Sequence, residues 1–285
     1  MTNFEKLNTY FSLSTFIIEI IGTLILTYFI FLGKYFVTKT KKSNLFFALF
    51  CSGATLLAII TTWTIQSFLS KTQSHVYFNF IFVLIQVFFQ GITKNWNQPP
   101  LLKGLPYLIS SQIIGTIFGI VLVYFTIFGL EKYSSNEKLT FSMYKDNKSK
   151  DPNVVYFKNL FKYKSVSYSR HTIKEFIFLA IFIITISFIN YINDVKFQTN
   201  IFYKTLIVIF ILMLVLILSS EFNFFMFSVY ISLTYLVCGA LTRKVTKNEI
   251  INFCISFGLT IVITIFISLM FLLFANKAKI TFSLS

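Results

Sequence analysis

Two carboxylic acids stand alone inside apolar runs of this chain. They are Glu19 in IIEIIGTLILTYFI (Ile17–Ile30) and Glu175 in IKEFIFLAIFIITI (Ile173–Ile186). A carboxyl group in such surroundings is costly unless hydrogen-bond donors meet it. Two asparagines follow in the same order, in Phe78-Asn79-Phe80 and Phe222-Asn223-Phe224, each near the start of a short apolar segment. Asparagine is a favoured helix N-cap, and its amide also carries N–H donors that can point into a lumen. The chemistry within reach is therefore hydrogen bonding in an apolar medium, with no bond-making step. The sequence has no carboxylate pair, nucleophile motif, Gly-rich phosphate loop or nucleotide-binding domain. It is not expected to be an enzyme, or to drive transport with an ATPase of its own.

The composition says what must position these residues. Of 285 residues, 56% are hydrophobic, 38 are Phe and only 12% are charged, about half the charged share of a soluble domain. With a mean hydropathy of +0.75, this is an integral membrane protein. Crossing roughly 30 Å of hydrocarbon takes about 20 apolar residues. Six segments satisfy that, at about 13–33, 45–66, 105–130, 172–192, 201–219 and 250–275. Two further apolar stretches, Phe78–Gln90 and Phe222–Gly239, read as re-entrant. The first span has no cleavage site after it and is too long for a signal-peptide core, so it is expected to be retained.

The polar stretch Glu131–Arg170, with nine Lys/Arg, divides the chain. Residues 1–130 form a first repeat with a half-helix at about 79–90. Residues 131–171 form a basic connection, and 172–285 a second repeat with a half-helix at about 223–238. Each half has three spans and one lone Glu before one Phe-Asn-Phe. A duplication with three spans per unit must place the second copy inverted in the membrane. The expected fold is an all-α polytopic membrane protein, with six transmembrane helices and two re-entrant half-helices in an inverted 3+3 repeat. Glu19 and Glu175 would each accept hydrogen bonds from re-entrant backbone in their own half; the alternative is a place at the headgroup interface.

The net charge of +15 would point to nucleic acid in a soluble domain. Here the basic residues lie between apolar runs, so membrane lipid headgroups are the expected partner and nucleic acid is not. Cys51, Cys238 and Cys254 lack metal spacing and read as small buried hydrophobes, with no metal or cofactor expected. His75 reads as a polar loop residue, His171 as the start of the fourth span, and Trp63 and Trp96 as interfacial anchors.

The run EIIGTLILTYF resembles the first-helix motif of the major intrinsic protein family, the aquaporins and glycerol facilitators. The run SQIIGTIFGIVLVY (Ser111–Tyr124) is similar to that family's third-helix pattern, carried by Gln112, Gly115 and Gly119. Gly22, Gln112, Gly115 and Gly119 would then pack helices closely. The resemblance covers residues 13–275 in order and spacing, and places Asn79 and Asn223 at the family's two Asn-Pro-Ala motifs. Both Asn are kept, while Phe80, Ile81, Phe224 and Phe225 replace both Pro-Ala pairs with bulkier groups. Met226 stands where the family carries its pore arginine, and Phe50, Ile211 and Ser220 are assigned to the rest of an apolar constriction.

The resemblance implies a homotetramer in the cell membrane with one pore per subunit. Each pore would pass a small neutral solute such as glycerol, or water, without a cofactor. The competing reading is a non-conducting scaffold of the same fold or a subunit of a transporter; a secondary transporter is a third. With both termini inside, as in the family, only eight of 25 Lys/Arg face the cytoplasm, against the usual charge bias.

Overall fold

The computed structural model describes residues 11–69, 77–84, 87, 100–136, 160–161, 167–189, 201–219, 229–242 and 245–278. Every regular element among them is helical. The long helices are α1 (Leu13–Thr40), α2 (Asn44–Leu69), α3 (Pro100–Asn136), α4 (Tyr168–Ile189) and α5 (Ile201–Ser219), followed by the shorter α6 (Val229–Thr242) and then α7 (Lys247–Ala278). Residues 80–84 are also helical. Five helices, within α1, α2, α3, α5 and α7, are long and apolar enough to cross a membrane. The protein is thus a multi-pass membrane protein, all-helical in its described elements. The segment expected to span at 172–192 forms α4, which is not among these five; its 22 residues carry Arg170, Lys174 and Glu175 in the first two turns.

Local signals explain the helix ends. Ser12 caps α1 by accepting from the Thr15 N–H at 3.4 Å, and Lys41 closes it in the left-handed region at φ 51°. The α1 helix runs seven residues past the expected end at 33 because the cations beyond it are accommodated inside the protein. Lys39 reaches Glu131 of α3 at 2.9 Å, and Tyr35 donates to the same carboxyl oxygen. Glu131 was expected to begin the polar connection; it is instead a buried residue of α3. The α3 helix opens on Pro100, whose missing N–H is harmless in a first turn. The second short segment was expected to start at 223. Its described helix begins at Val229 and continues to Thr242, and 220–228 lie outside the described residues.

Large apolar side chains cover outer faces of this protein, and polar side chains join the apolar core inside. Ile117, Phe118, Val121, Leu122 and Phe125 of α3 are exposed, as are Phe202, Leu206, Phe210, Leu214 and Leu218 of α5 at four-residue spacing. These faces are suited to lipid. The interior instead holds Glu19, Thr23, Thr27, Gln112 and Thr116, together with a polar row on α7: Asn252, Ser256, Thr260, Thr264 and Ser268. Several of the hydroxyls donate to carbonyls one turn back, as Thr23 does to Glu19, Thr116 to Gln112 and Thr260 to Ser256. That satisfies them without a second helix. Cys51 and Cys238 are buried as expected, but Cys254 is exposed, on a face of α7 that points out of the bundle.

Helix pairing follows one pattern in each half of the chain. The α1 and α3 helices run parallel, joined in register by Glu19 with Gln112, Tyr28 with Thr126, and Lys39 with Glu131. The α4 and α7 helices are also parallel, joined by Tyr168 with Asn248 and by His171 with Ser256. The α2 and α5 helices cross between the halves, sharing a core of Phe47, Ala48 and Cys51 with Val215 and Leu216. Small residues permit the close α1–α3 approach. A methyl group on Gly119 would lie 2.9 Å from both the Leu24 carbonyl oxygen and Thr27 Cβ.

Candidate functional site

Glu19 lies six residues into α1, about 9 Å along its axis, and is fully buried. Both its oxygens accept hydrogen bonds. Oε1 takes the Tyr77 N–H at 2.6 Å; Oε2 takes the Phe78 N–H at 3.1 Å and the Gln112 Nε2 amide at 2.8 Å. The carboxyl group therefore ties a non-helical turn, 58 and 59 residues away, to α1 and α3. Gln112, which the sequence marked for helix packing, also orients this acid.

The turn itself is tight. Phe78 has φ 50°, a region that disfavours a bulky side chain, and the Asn79 N–H closes back on the Tyr77 carbonyl at 2.5 Å. The conformation is held from both sides. Glu19 collects the two N–H groups that the turn exposes, and the Phe78 ring lies on Gly22, where any Cβ would overlap it. Only glycine at 22 leaves room for that ring. Phe78 is buried with Leu26 of α1 and Ala58 of α2.

Asn79 starts the helix that follows. Its Oδ1 accepts the Ile81 N–H at 3.2 Å, and its carbonyl accepts the Val83 N–H at 3.3 Å. This is the capping geometry expected of an Asn at a helix start. Phe80 stacks on Phe257 of α7 at 6.0 Å between ring centroids, and Val83 and Val87 pack with Leu108 of α3. Ile81 is fully buried, in one apolar cluster with side chains of α2, α4, α5 and α7.

The other expected site residues fall as follows. Gly115 faces the Ile20 carbonyl and Thr23 of α1, and Gly119 faces Leu24 and Thr27. Glu175 is half-buried and bonds to Ser256 of α7. Phe50 of α2 is half-buried with its ring against Gly33 of α1, and Ile211 of α5 packs beside the cluster that holds Ile81. Ser220, Asn223, Phe224, Phe225, Met226, His75 and Trp96 lie outside the described residues.

Two contributors were not legible in advance. His171 reads in sequence as a boundary residue, yet it is buried, with Nε2 2.8 Å from Ser256 Oγ and 3.2 Å from the Asn252 carbonyl. The four-residue spacing of Ser256, Thr260, Thr264 and Ser268 along α7 was the available signal that this helix turns a polar face inward. Tyr230, in the first turn of α6, is buried.

Comparison with protein-family models, with curated proteins and with solved structures gave no match.

Proposed function

We propose that this chain is a membrane channel for passive diffusion of small uncharged solutes, glycerol-like molecules or water. In this reading α4 is the sixth span. Residues 80–84 and α6 begin two half-helices, and the halves form an inverted repeat like that of the major intrinsic protein family. The observation that carries it is the Glu19 hub, which holds a turn and an Asn79-capped helix start against the interior of α1. Irregular backbone at that depth is stable only inside protein or beside a water-filled path, and paired half-helices are how channels and transporters bring polar groups to mid-membrane. The parallel α1–α3 and α4–α7 pairs, each bridged by its own Glu, support the repeat. In the same reading the protein is a homotetramer of the cell membrane.

Ile81 favours a second reading. Its burial among apolar side chains from four helices gives the first half-helix an apolar surrounding there, as a non-conducting scaffold of the same fold would have.

Light scattering from proteoliposomes separates the two. In a glycerol gradient the channel reading expects reswelling well above that of empty vesicles, reduced at least about tenfold by Asn79→Leu, which removes the capping oxygen and the lumen donors. Water flux without glycerol flux means a narrower path. Folded protein that reswells no faster than empty liposomes sinks the channel and leaves the scaffold.

A further inference from the structure

The helix ends sort into two faces of the bundle. The ion pair of Lys39 with Glu131 brings the C-terminal ends of α1 and α3 together, and α2 starts just past the end of α1. Between α3 and α4 the polar stretch holds no apolar run long enough to cross back, so α4 starts on the same face. The start of α7 lies beside it, where the Tyr168 hydroxyl donates to Asn248. The α5 helix ends here too, since Val215 and Leu216 share the core of Phe47 and Ala48 near the start of α2.

This face is basic. Lys34 and Lys39 turn inward, the first with its ammonium group 4.0 Å from the centroid of the Tyr235 ring of α6, the second to Glu131. Lys41, Lys42, Lys132, Arg170 and Lys247 are exposed. The acids of this face offer them no exposed counter-charge: Glu131 and Glu249 are buried, and Glu175 is half-buried against Ser256. Among the described residues, the Lys/Arg positions at the opposite face are Lys103, Lys204 and Lys277. Two exposed tyrosines, Tyr133 next to Lys132 and Tyr168 close to Arg170, stand at the level of these cations. Amphipathic rings of this kind sit in the headgroup layer.

Fixed positive charge at headgroup depth attracts the phosphodiesters of anionic lipids, and each Lys or Arg there adds to the attraction. A zwitterionic headgroup has no net charge to offer. The ends of membrane helices that collect Lys and Arg face the cytoplasm, whose leaflet carries the anionic lipid.

We infer that the face formed by the α1–α2 turn, the end of α3 and the starts of α4 and α7 binds anionic phospholipid headgroups of the cytoplasmic leaflet. The protein then sits opposite to the arrangement that the family resemblance implies. Passive diffusion runs in either direction, so this inference stands apart from the channel reading.

Two measurements test it. Purified protein in neutral detergent is equilibrated with equal amounts of phosphatidylglycerol and phosphatidylcholine, and native mass spectrometry counts the lipid retained. Wild type is expected to keep at least about threefold more phosphatidylglycerol. Gln at all five exposed cations removes that excess, whereas Gln at Lys103, Lys204 and Lys277 leaves it; melting checks that both proteins fold. The milder Lys41→Gln/Lys42→Gln pair is expected to lower the excess by at least about a third. No excess in wild type overturns the lipid site, as does an excess that the folded five-site protein or the milder pair keeps in full. Equal loss in the three-site protein also overturns it, because the attraction is then not confined to this face. For orientation, Lys42→Cys, Lys247→Cys and Lys204→Cys are expressed in bacterial cells and treated with a membrane-impermeant maleimide, with wild type as background. Lys204→Cys is expected to label in intact cells, and the other two only after the cells are opened. The reverse pattern overturns the cytoplasmic placement.

Discussion

Replacing Glu19 by alanine is expected to destabilise the protein by at least about 3 kcal/mol, because three buried donors lose their acceptor at about 1–3 kcal/mol each. The Tyr77 and Phe78 N–H groups and the Gln112 amide all end on this carboxyl group. Water at this depth is a poor substitute partner. The turn at Phe78, with its positive φ, is then held on one side only, by the packing of its ring on Gly22, Leu26 and Ala58. Glu19→Gln is the informative intermediate. It keeps one carbonyl oxygen, but its new NH2 group faces a site built wholly of donors, so it should fall between wild type and Glu19→Ala. Thermal melting of the detergent-solubilised protein reads this directly. A fall in Tm of about 5 °C or more is expected for Glu19→Ala and a smaller one for Glu19→Gln. If Glu19→Ala melts within about 1 °C of wild type, the carboxyl group is not what holds the re-entrant turn.

Gly115→Ala should cost nearly as much, for a different reason. Its Cβ would collide with the Ile20 carbonyl and the Thr23 hydroxyl of α1. A helix backbone cannot rotate out of the way as a side-chain tip can, so α1 and α3 must separate. That separation strains the Glu19–Gln112 hydrogen bond three residues away. Overpacking of this kind costs about 1–3 kcal/mol, occasionally more. The controls are on the molecule: among the described residues, nothing outside the helix's own nearby backbone lies within 4 Å of a Cβ on Gly53, Gly129 or Gly258. Alanine at those helical positions should be neutral, or stabilising by up to about 1 kcal/mol. The same melting assay ranks them, with Gly115→Ala at the bottom. Equal melting of Gly115→Ala and Gly53→Ala would show that α1 and α3 do not touch at this position.

These two predictions differ in how much of their basis could be read from the chain. Glu19 stood out because an acid in an apolar run is costly and so must have a purpose. The small-residue spacing of Gly115 and Gly119 announced a close helix approach. Lys34 gave the opposite impression. It reads as the end of the first span, since a lysine after twenty apolar residues is where a helix ordinarily leaves the membrane. The helix continues because the Lys34 chain is long enough to lay its ammonium group on the Tyr235 ring, and because Glu131 receives Lys39. His171 was hidden likewise. Beside Arg170 it looks like a polar boundary, and only Ser256 and the Asn252 carbonyl, eighty-odd residues on, make it an interior residue.

By itself the sequence determined the class of the protein, the places where its long helices lie, the two acids that needed partners and the glycines that let α1 meet α3. Those follow from hydropathy and side-chain size, which act locally and add along the chain. The tertiary structure decided which groups satisfy one another: Tyr77, Phe78 and Gln112 at Glu19, Ser256 between His171 and Glu175, and Tyr235 beneath Lys34. Within an apolar bundle a hydroxyl can turn back to a carbonyl of its own helix, but a carboxyl, amide or imidazole group gains little from its own sequence neighbours, whose backbone is already committed to helix. It must find partners on other helices, and which ones come within 3 Å depends on how the helices pack.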